Sequence, residues 1–430
     1  MTQGPQAICG RVVLSSPQQR TCVLVVQADA VRVVVRSGPV PSPGDIVRVH
    51  LGPATSQGVA APVREALDVE VLVPYPGRRP FPDPHGDWYR FHAHGARRWH
   101  ALHRRAAILA AMRRWFDAEG FLEVQTPAVV PSPGLDVHLT ACDVSFVPGP
   151  GEPARRWWLG TSPEYQMKRL LVAGFERIYQ IGRAHRSGER GRWHEPEFTI
   201  AEWYRAYAPW RRIVEDVQGL VVAAAQALHG DVRVPWGDAT LDLSPPWPVT
   251  TLREAYVRWA GFDPVPWDDA DRLRVRAQRA GIDLGPDCGG DASAILERVL
   301  VDRIEPALPR DRPVVVWGYP MAMASLARAD DADPTIAQRF EIYLGGVELA
   351  NGFGELIDPI EQRRRFERDR ATRRAQGLAV YPIDERFVAA LEEGCPPASG
   401  VALGVDRLVA VLTGSDGVAD TMAFPFETLA

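Results

Sequence analysis

The chain has 430 residues, 46% of them hydrophobic and 24% charged, with a formal net charge of −5. That length allows one large or two to three ordinary domains with a sizeable core, and the slight negative balance gives no global drive towards nucleic acid. No apolar run approaches the roughly 18 residues of a membrane span, no signal peptide opens the chain, and the five cysteines lack metal-ligand spacing; a cytoplasmic protein with reduced thiols and no membrane partner is expected.

Residues 8–74 carry five short β-branched runs, ICGRVVL, TCVLVVQ, VRVVVR, DIVRVHL and DVEVLV, separated by turn residues such as Pro41-Ser42-Pro43-Gly44-Asp45. They predict a small all-β domain over residues 1–75, an OB-type barrel. Residues 76–98 read as a Pro-, Arg- and aromatic-rich connector, and residues 99–430 as the main domain. Leu102, Ile108, Leu109, Met112, Trp115 and Phe116 recur at helical spacing from Trp99 to Ala118, and Gly120 stops the helix. A strand over Phe121–Gln125 leads to Thr126-Pro127. A second helix begins at Thr161-Ser162-Pro163-Glu164, with Ser162 suited to the N-cap, Pro163 to the first turn and Gly174 to the end. That helix contains Lys168, the only lysine; coding bias explains the many arginines, and the surviving lysine is a weak functional hint.

Residues 177–205 read as a long antiparallel hairpin. Strands Arg177–Arg186 and Glu197–Arg205 flank a charged loop, Ser187–Glu195. Alternation sends Phe198, Ile200, Glu202 and Tyr204 to one face. A flat aromatic, a carboxylate and a phenol in register suit a ring and an amine; an ordinary half-buried sheet fits the same pattern. Residues 207–338 read as mostly helical, with a buried strand over Pro313–Trp317 and no catalytic constellation. In RFEIYLGGVELANGFGEL, residues 339–356, Gly345-Gly346 fits a two-residue turn. It pairs Leu344 with Val347, Tyr343 with Glu348 and Glu341 with Ala350. Glu341 and Glu348 then share a face as diagonal neighbours, roughly 7–8 Å apart. Two like charges so placed either hold a hard cation such as Mg²⁺ or belong to a solvated face. Residues 400–413, GVALGVDRLVAVLT, pass from strand to helix and present Arg407.

The hairpin residues Trp193-His194-Glu195-Pro196-Glu197-Phe198-Thr199 and Glu202-Trp203-Tyr204 resemble motif 2 of class II aminoacyl-tRNA synthetases of the lysine group. TSPEYQMKRLL, from Thr161, and the run TIAEWYR are similar to the elongation factor P (R)-β-lysine ligases, which resemble a lysyl-tRNA synthetase catalytic domain that lysylates a protein. The resemblance runs from about Trp99 to the C-terminus. It implies an α+β fold, a class II catalytic domain with an antiparallel sheet flanked by helices, preceded here by the OB-like domain. The Trp99–Thr126 helix and strand resemble motif 1, which implies a homodimer. Residues 400–413 resemble motif 3.

By this resemblance ATP and Mg²⁺ are the cofactors. Arg186 and Arg407 are the catalytic residues, Arg186 for the α-phosphate and the amino-acid carboxylate, Arg407 for the γ-phosphate. Phe198 stacks on adenine, and Glu189 and His194 complete the ATP site with Glu341 and Glu348, the metal carboxylates. Glu355 and Tyr204 would recognise the ε-ammonium of lysine or β-lysine, Glu164 and Glu202 the α- or β-ammonium, and Asn351 the carboxylate. Ala402, where lysyl-tRNA synthetases carry glycine, narrows the pocket and is associated with β-lysine. Departures from the family are His185 for Phe, Gly188 for Glu, Glu195 for Asn, and Gly354 for His.

Elongation factor P is the acceptor this implies. A lysyl-tRNA synthetase-like enzyme charging tRNA or another acceptor is the alternative, since OB domains of such enzymes read the anticodon. Residues 1–80 hold one aromatic, Tyr75, and eight arginines against five acids, a poor platform for stacking and phosphate contacts. A catalytically inactive regulatory paralogue is the third possibility; the arginines and paired glutamates argue against it.

Overall fold

The computed structural model describes residues 6–54, 63–286 and 288–429. The chain divides into two compact units, Met1–His103 and Arg104–Ala430.

In the first unit, β1 (Gln6–Ser16), β2 (Thr21–Val26), β3 (Asp29–Val35), β4 (Ile46–Ala54) and β5 (Val63–Val73) close a barrel in the order β1-β2-β3-β5-β4, consistent with the OB-like expectation. Alternation explains its core: Val12, Leu24, Val33, Val35, Val47 and Val49 point inward and are fully buried or nearly so. Asp45 pins the predicted turn, accepting from Ser42 N at 2.8 Å and Tyr75 N at 2.7 Å. Beyond the barrel, Tyr75, Phe81, Trp88, His92 and Trp99 make successive ring contacts. Helix α1 (Asp87–Ala118) starts inside the stretch read as connector and loses helical geometry at Ala93–Ala96.

The second unit is organised by one eight-stranded sheet. In chain order its elements are β6 (Leu122–Glu123), β7 (Val129–Val130), β8 (Asp143–Phe146), β9 (Arg155–Leu159), α2 (Glu164–Val172), β10 (Arg177–His185) and β11 (Glu197–Ala206). Then come α3 (Trp210–His229), β12 (Arg233–Trp236), β13 (Ala239–Asp242), β14 (Val249–Thr251), α4 (Leu252–Ala255), α5 (Ala270–Arg279) and α6 (Ala292–Val299). The chain closes with β15 (Val314–Pro320), β16 (Ile336–Leu344), β17 (Val347–Gly354), α7 (Pro359–Ala375), α8 (Glu385–Gly394), β18 (Ala398–Gly404) and α9 (Val405–Thr413). The large sheet runs β14-β15-β16-β17-β18-β11-β10-β6. Its pairs are antiparallel except at the two edges, where β14–β15 and β6–β10 are parallel.

Strand alternation gives the sheet two different faces. One face buries Trp203, Phe340, Ile342, Val401 and Leu403 in a core shared with α1, α3 and α9. The amphipathic α3 brings Ile213, Val217, Leu220 and Val221 to it, and ends at Gly230 in the left-handed conformation. The other face is covered at β15 and β16 by the α4–α6 layer, through Val316, Tyr319 and Tyr343. Towards β11, β17 and β18 this second face carries the polar side chains described below.

Three local expectations need correction. In the β16–β17 hairpin the register shifts between Ile342 and Tyr343, so Glu341 pairs with Asn351, not with Ala350. The bulge absorbs Leu349, and it lets Glu348 and Asn351, three residues apart, both share the face of Glu341. The 207–338 stretch holds β12–β14 between its helices and is less uniformly helical than expected. At α2, Pro163 takes the N-cap position and Glu164 opens the helix, while the Ser162 hydroxyl still accepts from Glu164 N at 3.0 Å.

Candidate active site

The sheet lines up one residue from each of five neighbouring strands. Gln180 pairs with Glu202, Glu202 with Ala402, Ala402 with Asn351, and Asn351 with Glu341. Directly opposed residues in a ladder share a face, so this row sets Glu202 and Glu341 on one face with Ala402 and Asn351 between them. The next row holds Tyr204, Gly400 and Phe353. Gly400 is required by close approach: a Cβ there would lie 2.4 Å from the Tyr204 ring and 2.8 Å from Glu355 Oε1.

At one end lies a dry cluster of acids. Tyr204 Oη donates to Glu202 Oε1 at 2.6 Å and Ser162 Oγ to Glu202 Oε2 at 3.0 Å. From α2, Lys168 Nζ reaches Glu164 Oε1 at 2.8 Å and Glu355 Oε2 at 2.5 Å. Burial, aided by the Glu164 charge, pushes Glu202 up to about 7 against those hydrogen bonds. Burial pushes Glu355 up to about 8 in spite of Lys168. Burial alone would lower the Lys168 ammonium; Glu164 and Glu355 together hold it above its ordinary value. Three carboxylates share one cation, so the cluster has room for further positive charge.

At the other end is an open cleft lined by Arg186, Glu189, Trp193, His194, Phe198, Glu348, Asn351, Ala402 and Arg407, among others. The β10–β11 loop supplies Arg186, whose guanidinium lies over the Phe198 ring at 5.0 Å and 3.8 Å from Glu189. The β18-to-α9 passage supplies Arg407, three residues into the cleft from Gly404. Arg407 donates to Glu348 Oε2 at 3.0 Å, to Glu348 O at 2.7 Å and to Trp193 O at 3.1 Å, and meets His194 Nε2 at 2.8 Å. Burial and the Arg407 charge hold His194 below its ordinary value, so its neutral Nε2 accepts. Among the described residues lining the cleft, Arg186 Nε and Asn351 Oδ1 are buried without a hydrogen-bond partner. Orphaned groups of that kind are costly, and both are ones a bound anion or amine could satisfy.

Glu341 is more enclosed than the pattern of alternation suggested. Tyr319 Oη and Tyr343 Oη donate to its Oε2, each at 2.7 Å, and Arg339 donates to its Oε1 at 2.6 Å. Glu348 has 38% of its side chain exposed; burial raises it, but Arg407, with Arg339 and Arg186, more than offsets this and keeps it below its ordinary value. Glu305, from the helical layer, accepts from Tyr343 Oη at 3.2 Å and is pushed up to about 7 by burial and by Glu341 and Glu348. Among the described residues no group of three or more His, Cys, Asp or Glu forms a ready metal cage. A pair of carboxylates on one face, one open to the cleft, still fits a hard cation that completes its shell with substrate oxygens.

The structure thus brings Glu164, Glu202, Tyr204 and Glu355 together in the dry cluster. It brings Arg186, Glu189, His194, Phe198, Glu348 and Arg407 together in the cleft, with Asn351 and Ala402 between and Glu341 behind. Sequence reasoning missed Glu305, Tyr319 and Arg339, whose only signal is that strand and helix topology delivers them to Glu341. Two departures gain a local account. Glu195 is buried and accepts from Phe426 N at 2.9 Å. At Gly354 a Cβ would lie 2.3 Å from Gln338 Oε1, so Gln338 fills the place of the larger residue.

Two comparisons bear on this geometry. The family of class II tRNA synthetases (D, K and N) matches residues 92–428. The chain is 41% identical over 327 residues to the elongation factor P–(R)-β-lysine ligase of Proteus mirabilis (strain HI4320), covering 75% of this chain and 94% of that relative. A match across nearly the whole catalytic unit, together with an arginine from the β10–β11 loop and another from the β18–α9 passage flanking a row of acids, means that the chain belongs to the class II tRNA synthetases of the D, K and N type.

Proposed function

We propose that this protein is a ligase that activates lysine, or (R)-β-lysine, with ATP and transfers it to a lysine side chain of elongation factor P. The observation that carries the reading is the set of buried Glu202, Glu355 and Tyr204 with half-buried Glu164, beside an arginine-lined cleft. Acids in a dry pocket suit a substrate with two ammonium groups; arginines suit its carboxylate and a triphosphate. The name of the Proteus relative and Ala402 support the β-lysine form and the protein acceptor.

In the first step a carboxylate oxygen of the amino acid attacks the α-phosphorus of ATP. A P–O bond forms, the α–β bridge breaks, and pyrophosphate leaves. Arg186 would hold both anions for in-line attack, and Arg407 would bind the γ-phosphate while remaining tied to Glu348. Phe198, with Arg186 across its ring, offers a stacking surface for adenine, and Glu189 and His194 line the same cleft. Glu341 and Glu348 would hold Mg²⁺, which supplies neutralising charge to the triphosphate. Glu355 and Tyr204 would take the ε-ammonium, Glu164 and Glu202 the α- or β-ammonium, and Asn351 the carboxylate. In the second step the acceptor amine attacks the acyl carbon, an amide forms, and AMP leaves.

Domain boundaries at 1–75, 76–98 and 99–430, a homodimer through the Trp99–Thr126 region and a cytoplasmic setting complete the proposal. Among the described residues no helix is long and apolar enough to cross a membrane. The closed five-stranded barrel favours a second reading, in which the acceptor is tRNA. Pyrophosphate exchange, then transfer of labelled α- or β-lysine to elongation factor P or to tRNA, tests the set. No exchange with any diamino acid rejects the activation step, and charging of tRNA alone rejects the protein acceptor. Sedimentation as a monomer at micromolar concentration rejects the dimer.

A further inference from the structure

Lys168 is the only lysine of the chain, and its side chain is 0% exposed. It stands one helical turn beyond Glu164 on α2, the spacing at which an exposed pair contributes little. Here the ammonium does more than close a helical pair. It also reaches Glu355, at the end of β17, and so ties the helix to the sheet across the amine end of the pocket. Its charge is also felt by Glu202 and Cys395.

The arithmetic of charge is informative. Glu164, Glu202 and Glu355 carry three negative charges when ionised, and Lys168 cancels one. Two remain, which equals the number of ammonium groups on a diamino acid. Three bare carboxylates in a dry site would take up protons instead of staying ionised for a ligand. An amino acid with one ammonium would leave a buried carboxylate unmatched, a cost that a fixed ammonium cannot remove.

We infer that Lys168 is a positioning and specificity residue: its ammonium bridges Glu164 and Glu355, fixes their spacing, and matches the pocket to a substrate with two ammonium groups. The inference rests on the function proposed above. In pyrophosphate exchange, Lys168→Met is expected to raise the KM for lysine or β-lysine about tenfold or more, with the KM for ATP unchanged. The preference for lysine over norleucine, which lacks the ε-amine, is expected to shrink by about the same factor. Lys168→Arg, bulkier and forked, is expected to fall in between. A purely structural role would lower the melting temperature without splitting KM from kcat. Unchanged KM and unchanged preference in a folded variant overturn the inference.

A measurement on the unaltered protein covers variants that fail to fold. Labelling with ¹⁵N-lysine gives one side-chain Nζ resonance, because there is one lysine. That resonance is expected to shift on saturation with lysine or β-lysine and to stay in place with norleucine. No shift with either diamino acid, in protein that performs exchange, sinks the inference and leaves the proposed function standing. If the protein performs no exchange, the proposed function fails, and the same resonance still decides whether Lys168 senses a diamine.

Discussion

Arg407 grips Glu348 twice, donating to its carboxylate at 3.0 Å and to its backbone carbonyl at 2.7 Å. The backbone bond fixes where the guanidinium stands whatever the carboxylate does. An arginine so anchored is preorganised for an anion and has little to reorganise when charge develops.

Arg407→Ala is therefore expected to abolish adenylation while the protein stays folded. Loss of one charge-assisted clamp should cost on the order of 10²-fold or more in rate. Pyrophosphate exchange measured beside circular dichroism checks it; near-normal exchange would remove Arg407 from the chemistry.

The buried acids on both sides of the site give a pH signature. Glu202 is pushed up to about 7, Glu355 to about 8, and Glu305 to about 7, from an ordinary value of 4.5. Raised acids mean that the folded chain holds more protons than the unfolded chain between about pH 4.5 and 8. Stability should therefore fall as pH rises through that window. Lys168, held above its ordinary value, keeps its contribution across the same range. A bound diamino acid pairs with the ionised acids and should flatten the decline. Melting temperatures at pH 5.5 to 8, with and without lysine, check both parts; a rising curve without ligand would contradict the account.

Gly400→Ala should be damaging although alanine is small. Its Cβ would meet the Tyr204 ring at 2.4 Å and Glu355 at 2.8 Å, and both must move. Overpacking of this kind costs about 1–3 kcal/mol. The displaced phenol and carboxylate should weaken amino-acid binding more than ATP binding. Denaturant titration and separate KM values for the two substrates check it.

Gly354→His tests whether the family's larger residue fits this chain. The new Cβ would meet Gln338 Oε1 at 2.3 Å, and that oxygen already accepts from Arg328 Nε at 2.9 Å. A loss of about 1–3 kcal/mol is expected. Adding Gln338→Ala should recover part of it, which a double-mutant cycle would measure.

What was legible in the sequence follows from how local each feature is. The Glu197–Ala206 strand pairs without a register break, so Phe198, Glu202 and Tyr204 stay on the face that strand geometry assigns them. The Gly345-Gly346 turn fixed the first two pairs of its hairpin, but the bulge at Leu349 leaves no mark in composition and displaced Glu341 by one partner. Arg407 was legible because a glycine-bounded strand-to-helix passage announces itself. Glu305 and Tyr319 were not, since only the tertiary fold brings a helical layer over Glu341. The enclosure of Lys168 was equally invisible; its rarity was the sole hint.

That enclosure has a chemical consequence for the protein itself. Acyl-adenylates are reactive mixed anhydrides, and an exposed amine is the nucleophile that consumes them. This chain displays no lysine side chain at its surface: the single one is sealed between two carboxylates. An enzyme that releases such an intermediate in the absence of acceptor would then offer it no side-chain amine of its own, and peptide mapping after prolonged turnover should find Lys168 unmodified. Replacing surface arginines with lysines would supply the missing nucleophiles, and adducts should appear at those positions first.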